Sequence, residues 1–343
     1  MEPKVVPAVE NAGSVDPKIL RQTIDDLQVT SPWPGFFKSI ASLAIMGVLI
    51  WLSLSSESTL AFVLWACATA FFYSSIFLLT HDAIHHTLTG WKWFDELFPR
   101  VLAYPMLWYH GIYSALHKIH HKMNGNDIHD PERPQYTERE YKSVGPVRQW
   151  MIRNQWWLNC FVWGGFGFLF KHYWQAYKFY NKSREVRLAI WTDVAGVLLV
   201  QGFINVWAYS VGNWWHAFAF FLILERVMGA FHQFRSHIEH YGLWGKESNP
   251  FETQIRNSRN LRTTGFMSLY VDHLNYHSVH HAFPRIPFYH LKEAHRRLVA
   301  LYQSFGRPIA EDTSYLKTGW RLATNPVVVR EETQEVIPIS NLR

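Results

Sequence analysis

The sequence predicts an all-α integral membrane protein, with four transmembrane helices arranged as two hairpins and a helical cap on the cytosolic side. Three observations support this fold class: four long apolar runs, an uneven distribution of lysine and arginine, and histidine clusters that lie beyond the ends of the apolar runs. Hydrophobic residues make up 48% of the 343 residues and aromatic residues 17%, which is typical of membrane proteins with aromatic belts at their interfaces.

Four apolar runs are long enough to cross a bilayer as helices. They lie at about 39–55, 59–80, 188–210 and 213–231. The connections within the first pair and within the second pair are very short, so we expect each pair to form a hairpin. The chain then divides into a cytosolic segment (1–35), a membrane domain (36–305) and a cytosolic tail (306–343).

Two other apolar stretches are not expected to cross the membrane. Residues 101–116 and 156–170 are short for a span, and each is interrupted, the first by Pro105 and the second by a pair of glycines. We interpret both as interfacial or re-entrant helices. If only one of them crossed, the histidine clusters would face opposite sides of the membrane.

The distribution of positive charge predicts the orientation. Of the 33 lysines and arginines, 3 lie in residues 1–37, 14 in 81–187 and 14 in 232–343, and the two short connections between spans carry none. The positive-inside rule therefore places both termini and the long middle segment in the cytoplasm. A pI of about 9.2 is explained by this orientation and by anionic lipid headgroups, so no nucleic acid partner is expected.

The three histidine clusters read HDAIHH at 81–86, HKIHH at 117–121 and HSVHH at 277–281. Residues at i, i+3 and i+4 share one face of a helix, so each cluster can present converging imidazoles. The candidate ligands are His81, His85, His117, His120, His121, His277, His280 and His281. They are too many for one tetrahedral ion, so we predict a dinuclear metal site. Imidazole suits several metals, and the spacing does not identify one. His86 lies off the shared face and is a possible further ligand.

With these motifs the chain resembles the membrane fatty acid desaturase superfamily, which includes related hydroxylases and ketolases. The resemblance covers roughly residues 36–305. It rests on HDAIH at 81–85, on HKIHH followed by Asp-Pro-Glu at 130–132, on RSHIEH at 235–240 and on NYHSVHHAFPRIP at 275–287. It implies two iron ions as cofactors and dioxygen as co-substrate. It also implies one more ligand from the RSHIEH element, His240, with His237 as the reserve.

Four acidic residues beside the clusters are expected to accept hydrogen bonds from metal-bound imidazoles and so fix their orientation. They are Asp82, Asp130, Glu239 and Asp272. Near the end of the fourth span, Glu225 and Arg226 are costly in lipid and are expected to face protein or the metal site. Because neighbouring residues on a helix do not face each other, we do not expect these two to pair.

The leading functional hypothesis is the oxidation of an unactivated C–H bond in a lipid, most simply the introduction of a double bond into a fatty acyl chain. Hydroxylation of a carotenoid or fatty chain at the same site is the close alternative. A histidine-rich metal transporter is a distant one, because transport places ionisable ligands near the bilayer midplane rather than beyond the ends of the spans.

The reaction needs electrons, and no segment of the sequence resembles a haem-binding or dinucleotide-binding element. We therefore predict a separate electron donor, of ferredoxin or cytochrome b5 type, with its reductase. Six basic residues near the clusters are candidates for its docking surface: Lys118, Lys122, Arg285, Lys292, Arg296 and Arg297.

Overall fold

The computed structural model describes residues 14–342, and this part of the chain is predominantly helical. The helices in chain order are α1 (Pro17–Ile24), α2 (Pro32–Leu54), α3 (Thr59–Ile76), α4 (Leu79–Ile84), α5 (Lys92–Ala103), α6 (His110–Met123), α7 (Glu138–Lys142), α8 (Pro146–Arg153), α9 (Gln155–Trp157), α10 (Gly164–Phe179), α11 (Arg184–Ser210), α12 (Trp214–His240), α13 (Pro250–Arg256), α14 (Gly265–Tyr270), α15 (His277–Ala282), α16 (Phe288–Ser304) and α17 (Tyr315–Thr324).

Two small ribbons supplement the helices. Strand β1 (Asn260–Leu261) pairs in parallel with β2 (Glu311–Asp312), and β3 (Val327–Val329) pairs in antiparallel with β4 (Val336–Pro338). The predicted all-α class is therefore confirmed in its main features. Both ribbons lie outside the long apolar helices, and the first ribbon, together with an isolated bridge between Thr137 and Val329, ties the C-terminal tail to the rest of the chain.

Four helices of the described residues are long and apolar enough to cross a membrane: Pro32–Leu54, Thr59–Ile84, Arg184–Ser210 and Trp214–His240. Each overlaps one of the four predicted runs, and one end of the first run and one end of the last run differ from the helix by one residue. The second includes α3 and α4, and the fourth continues as helix well past residue 231, so that the whole RSHIEH element is helical. The two interfacial stretches predicted at 101–116 and 156–170 are not among these four helices.

The long helices pack in a definite order. Helix α3 lies between α2 and α12, and α12 packs closely on α10, while α11 packs mainly on α6 and the turn at Tyr104–Met106. The approach of α12 to α10 depends on glycine, because a Cβ at Gly229 would lie 1.9 Å from the backbone nitrogen of Gly165. These contacts bring the ends of α4, α6 and α12 together, which is where the histidine clusters lie.

Glu225 and Arg226 pair with each other, so the expectation that they would not is wrong. Both side chains point toward the junction where the π-helix at Leu158–Trp163 is followed directly by α10. Arg226 donates to the carbonyls of Val162 and Trp163 at 2.7 and 2.9 Å, and Glu225 accepts from the backbone N–H of Phe166 at 2.6 Å. The two side chains meet because both form hydrogen bonds with the same stretch of backbone, although they do not start from the same face of α12.

A separate core supports the third histidine cluster. Val279 and Phe283, in and after α15, are buried with Leu274 and with Leu291 and Leu298 of α16. This apolar side of α15 is held by packing, which leaves its histidines to face α6 and α12.

Candidate metal centre

Four elements carry the clustered histidines to one place. His81 lies in α4 and His85 directly follows it, while His117, His120 and His121 lie in α6. His240 is the last residue of α12, and α15 begins with His277. The elements are distant in sequence, so the site forms only when the helices pack.

Five histidines form the first group: His81, His85, His117, His121 and His280. Each offers one ring nitrogen, and these nitrogens all lie within 4.8 Å of one another. The Nε2 atom of His121 is 3.0 Å from that of His117 and 3.2 Å from that of His280. We call this the five-histidine group.

A second group, the four-histidine group, consists of His120, His240, His277 and His281. His240 belongs to two overlapping sets of converging atoms, one with His120 and His281 and one with His277 and Glu239. Its Nε2 atom lies 3.0 Å from that of His277 and 3.3 Å from that of His120. The two groups adjoin, because the rings of His121 and His281 stack with centroids 4.2 Å apart.

The groups divide every HxxHH cluster between them. In α6, His117 and His121 face the five-histidine group and His120 faces the other. In α15, His280 joins the first group, and His277 and His281 join the second. The sequence predicts that each cluster converges, but it does not predict this division.

The donor set fits metal ions. His117, His120 and His240 each have an oxygen partner at Nδ1, so their Nδ1 atoms carry the protons and their Nε2 lone pairs point toward the other imidazoles. His81, His85 and His281 each bury at least one ring nitrogen that has no hydrogen-bond partner among the described residues. Converging lone pairs at about 3 Å repel one another unless a cation lies between them, so nine imidazoles can hold two ions here.

Two carboxylates after α6 orient its imidazoles. His120 Nδ1 lies 2.8 Å from both oxygens of Asp130, and His117 Nδ1 lies 3.2 Å from both oxygens of Glu132. Asp130 stands where the sequence analysis expects it. Glu132 was missed as a partner, although the Asp-Pro-Glu motif contains it. Its spacing from Asp130 was the signal that could have identified it.

Two further oxygen partners come from α13 and the residue after it. The backbone carbonyl of Asn257 accepts from His240 Nδ1 at 3.1 Å, and the side-chain oxygen of Gln254 lies 3.1 Å from His281 Nδ1. Neither was predicted. A backbone carbonyl leaves no mark in a sequence, and an amide is too common a side chain to single out.

The other three predicted carboxylates have different surroundings. Glu239 lies 3.5 Å from His277 Nε2 and pairs with Arg235 on the same helix. Asp82 is buried, but its nearest approach to His81 is 3.9 Å, too long for a hydrogen bond. Asp272 pairs with Lys38 of α2 rather than with a histidine among the described residues. Of the four, Asp130 has the direct hydrogen bond to a clustered imidazole.

Two possible ligands lie outside both groups. His86 is exposed and has a positive φ of 55°, which turns the chain away after α4. His237 contacts the carbonyl of Gln233 at 2.8 Å through Nδ1 and the side-chain nitrogen of Asn159 at 3.0 Å through Nε2. His240, one turn further along α12, points into the four-histidine group.

The electrostatics keep four of the clustered imidazoles in α6 and α15 neutral, as metal binding requires. Burial lowers the pKa of His121, His277, His280 and His281 well below 6.5, and the neighbouring imidazoles lower it further. Burial alone would also lower the pKa of His120, but the charges of Asp130 and Glu132 outweigh it and raise that pKa.

A buried cavity of about 30 Å³ lies against both groups. His81 and His117 border it from the five-histidine group, and His240 and His277 from the other. On the opposite side it is lined by aromatic side chains, among them Phe77, Trp108 and Phe168. The cavity therefore combines aromatic walls with polar and titratable side chains, and it touches both candidate metal positions.

Four helices able to span a membrane and two adjoining histidine groups define a membrane protein with an imidazole-rich centre suited to metal. The family model described as fatty acid desaturase matches residues 57–313, which is most of the chain and includes all three histidine clusters. This protein belongs to the fatty acid desaturase family.

Two curated relatives are similar to the chain. The sn-1 acyl-lipid omega-3 desaturase (ferredoxin) of Nostoc sp. (strain 36) is 30% identical over 146 residues, which are 40% of this chain and 40% of the relative. The sphingolipid delta(4)-desaturase of Candida albicans is 22% identical over 284 residues, 78% of this chain and 68% of the relative. The first match thus spans less than half the length of that relative.

Proposed function

We propose that this protein is a di-iron, dioxygen-dependent oxidoreductase that introduces a double bond into the acyl chain of a lipid. The observation that carries the proposal is the pair of adjoining histidine groups, which border a buried cavity with aromatic side chains in its wall. The family match and the two desaturase relatives support the same class of reaction.

The nine histidines of the two groups are the proposed ligands, and His240 rather than His237 completes the set. His237 already has partners outside the two groups at both ring nitrogens, whereas His240 has an oxygen partner at Nδ1 and its Nε2 faces the imidazoles of the four-histidine group. Asp130, Glu132 and the Asn257 carbonyl hold the Nδ1 protons of three of these imidazoles, which fixes the direction of their Nε2 lone pairs.

Bound iron, with dioxygen and two electrons, supplies the oxidising power that removal of hydrogen from an unactivated C–H bond requires. In the overall reaction, a –CH₂–CH₂– unit, O₂, two protons and two electrons give –CH=CH– and two molecules of water. The chain's own part is to hold the ligands rigidly and to exclude bulk water. Phe77, Trp108 and Phe168 do the latter by packing around the cavity.

The electrons come from a separate carrier. Three of the six basic residues singled out in the sequence are paired: Lys118 with Glu185 at 2.9 Å, Arg296 with Glu293, and Arg297 with both Glu293 and Asp26. They are therefore poorer candidates for docking than the sequence suggests.

A basic groove of about 500 Å³ lies elsewhere, and its wall includes Asp130, the partner of His120. Arg148, Lys178 and Lys182 also line it, are exposed, and pair with no carboxylate among the described residues. We place the docking of an acidic carrier over this groove, because its positive charge is unneutralised and adjoins the four-histidine group.

Charge reversal tests the docking site. Lys178→Glu with Lys182→Glu should lower carrier-dependent turnover at low salt and flatten its dependence on salt, while turnover with a small chemical reductant stays unchanged. Lys317→Glu, an exposed position in α17, is the matched control. An equal loss in the control, or a loss with the chemical reductant as well, would remove the groove from the docking role.

We also propose that the centre faces the cytoplasm, since the positive-inside rule places the long middle segment there. The proposed reaction itself is tested by product analysis. Lipids of a host that expresses the protein are compared with those of a host that expresses His280→Ala. A lipid that has lost two hydrogens identifies desaturation, and one that has gained an oxygen identifies hydroxylation. The absence of any new lipid, with protein loaded with iron and supplied with electrons, would reject both.

A further inference from the structure

The cavity beside the histidine groups is not uniformly apolar. Trp108, His232 and Arg235 border it and are 3%, 5% and 6% exposed. The Nε1 atom of Trp108, the Nε2 atom of His232 and the Nε atom of Arg235 have no hydrogen-bond partner among the described residues. Three buried, unpartnered nitrogens therefore lie around one small space.

The rings that carry two of these nitrogens lie beside each other. The rings of Trp108 and His232 have centroids 5.5 Å apart at an angle of 62°, and both lie against Phe77, at 4.6 and 5.3 Å. Phe168 stacks on the other side of Trp108 at 4.7 Å and holds its ring in place. Arg235 pairs with Glu239 through one of its terminal nitrogens, and its buried Nε–H has no partner among the described residues.

The chemistry of the three nitrogens specifies the ligand. The indole N–H and the Arg235 Nε–H are donors only, and the His232 nitrogen donates or accepts according to its tautomer. A polymethylene chain in this space would leave all three unsatisfied, which is unfavourable in a buried site. An oxygen that accepts from Trp108 and either accepts from or donates to His232 satisfies two of the three, the Trp108 and His232 nitrogens. The volume of about 30 Å³ suits one such group, since roughly 10–15 Å³ is enough for a single oxygen-sized probe.

We propose that the cavity receives a hydroxyl or carbonyl oxygen of the lipid substrate, held by Trp108 and His232. The inference rests on the proposed function, and it narrows the substrate to a lipid with an oxygen function near the carbon that is oxidised. The proximity follows from the cavity itself, whose wall includes His81, His117, His240 and His277. An unsubstituted mid-chain segment does not meet this requirement.

The test is a binding measurement on the full-length protein in detergent. The probes are a saturated long-chain fatty acid and the series of its monohydroxy derivatives, each used to displace a fluorescent fatty acid. We expect at least one positional isomer to bind roughly tenfold or more tightly than the parent acid. Trp108→Phe, which keeps the ring but removes the N–H, should reduce that preference roughly fivefold or more without weakening the binding of the parent acid.

Trp156→Phe is the matched control. Trp156 is 2% exposed and its Nε1 is also unpartnered, but it packs on Phe234 and Tyr241 and does not border the cavity. Removal of the Trp156 N–H should leave the preference for the hydroxylated isomer unchanged. His232→Phe provides a second, independent variant in case Trp108→Phe does not fold, and His232→Gln, which can again donate and accept, should restore part of the preference.

Three results would overturn the inference. The first is equal binding of all hydroxylated isomers and the parent acid, as expected if the cavity holds only water. The second is a preference for a hydroxylated isomer that survives in both Trp108→Phe and His232→Phe, and the third is an equal loss of that preference in Trp156→Phe. Binding is measured without turnover, so these results are independent of whether the protein desaturates any lipid. Conversely, wild-type protein that binds with the expected preference but oxidises no lipid would reject the proposed function alone.

Discussion

The imidazole of His120 and the carboxylate of Asp130 face each other at 2.8 Å, and both side chains are almost completely buried. The carboxylate fixes the proton on Nδ1 and raises the pKa of His120 against the effect of burial. It thereby turns the Nε2 lone pair toward His240. The contact links a residue in the wall of the basic groove to one of the proposed metal positions.

Asp130→Asn should weaken metal binding by roughly 10- to 100-fold, because the amide no longer fixes the tautomer of His120. The measurement is iron content per chain after dialysis against graded chelator. Asp127→Asn is the control, since Asp127 accepts a hydrogen bond from the backbone of His129 and contacts no clustered histidine through a hydrogen bond in the described residues. Full iron retention in Asp130→Asn would show that the carboxylate does not support the site.

The choice between the two histidines of the RSHIEH element gives a second prediction. His240→Ala should lose at least one of the two proposed irons, because it removes a proposed ligand from the four-histidine group. His237→Ala should keep both irons and lose only its contacts with Gln233 and Asn159. Elemental analysis of the purified variants decides between them, and the reverse pattern would assign the ligand to His237.

The sequence predicts much of this site because spacing along a helix is a local property. HxxHH repeats and the RSHIEH element identify the histidines that the structure brings together. The division of His117, His120 and His121 between two groups depends on the helices that pack on either side of α6, and local spacing does not contain it.

Pairs of residues that are distant in the sequence also could not be predicted from it. Asp272 and Lys38 are 234 residues apart, and nothing in either neighbourhood marks them as partners. For Glu225 and Arg226, the rule that neighbouring residues on a helix do not face each other gave a wrong prediction. The two side chains pair because both form hydrogen bonds with the backbone around Val162 and Phe166. Helix periodicity describes the direction in which each Cα–Cβ bond points, whereas packing determines where the polar end of a long side chain lies.

The pair between Lys38 and Asp272 gives a third prediction. Asp272 is fully buried, and burial raises the pKa of its carboxyl against the opposing effect of Lys38. Lys38→Met should therefore destabilise the protein by roughly 2 kcal/mol or more, somewhat less than loss of a fully buried pair because Lys38 is 32% exposed. Thermal unfolding in detergent measures the change.

Lys92→Met is the control for that experiment. Lys92 is 82% exposed and lies 4.0 Å from Glu96, a surface pair that contributes no more than about 1 kcal/mol. Similar shifts in the two variants would mean that the burial of Asp272 carries no special cost. Restored stability in Lys38→Met with Asp272→Asn would confirm that the unpaired charge is the cause.

The buried imidazoles predict how the stability of the metal-free protein depends on pH. Four of them have pKa values well below the 6.5 of an unfolded chain, so below pH 6.5 the unfolded state binds more protons. Stability is then fully present above that pH and falls as the pH falls, by about 1.4 kcal/mol per pH unit for each such histidine. His120, with its raised pKa, opposes the trend but is outnumbered. Unfolding followed between about pH 8 and pH 5 tests this, and stability that rises in acid would contradict it.

The proposed orientation in the membrane gives the last prediction. After Cys67 and Cys160 are replaced by alanine, single cysteines at Glu57 and Val211 should react with an impermeant thiol reagent in intact cells. Val211 is preferred to its neighbour because Gly212 has a φ of 70°, which disfavours a side chain. Cysteines at Asn126 and Glu332, both exposed, should react only after permeabilisation. Labelling of Asn126 and Glu332 from opposite sides would mean that an odd number of segments crosses between them, and the histidine clusters of α6 and α15 would then need a different explanation for their contact.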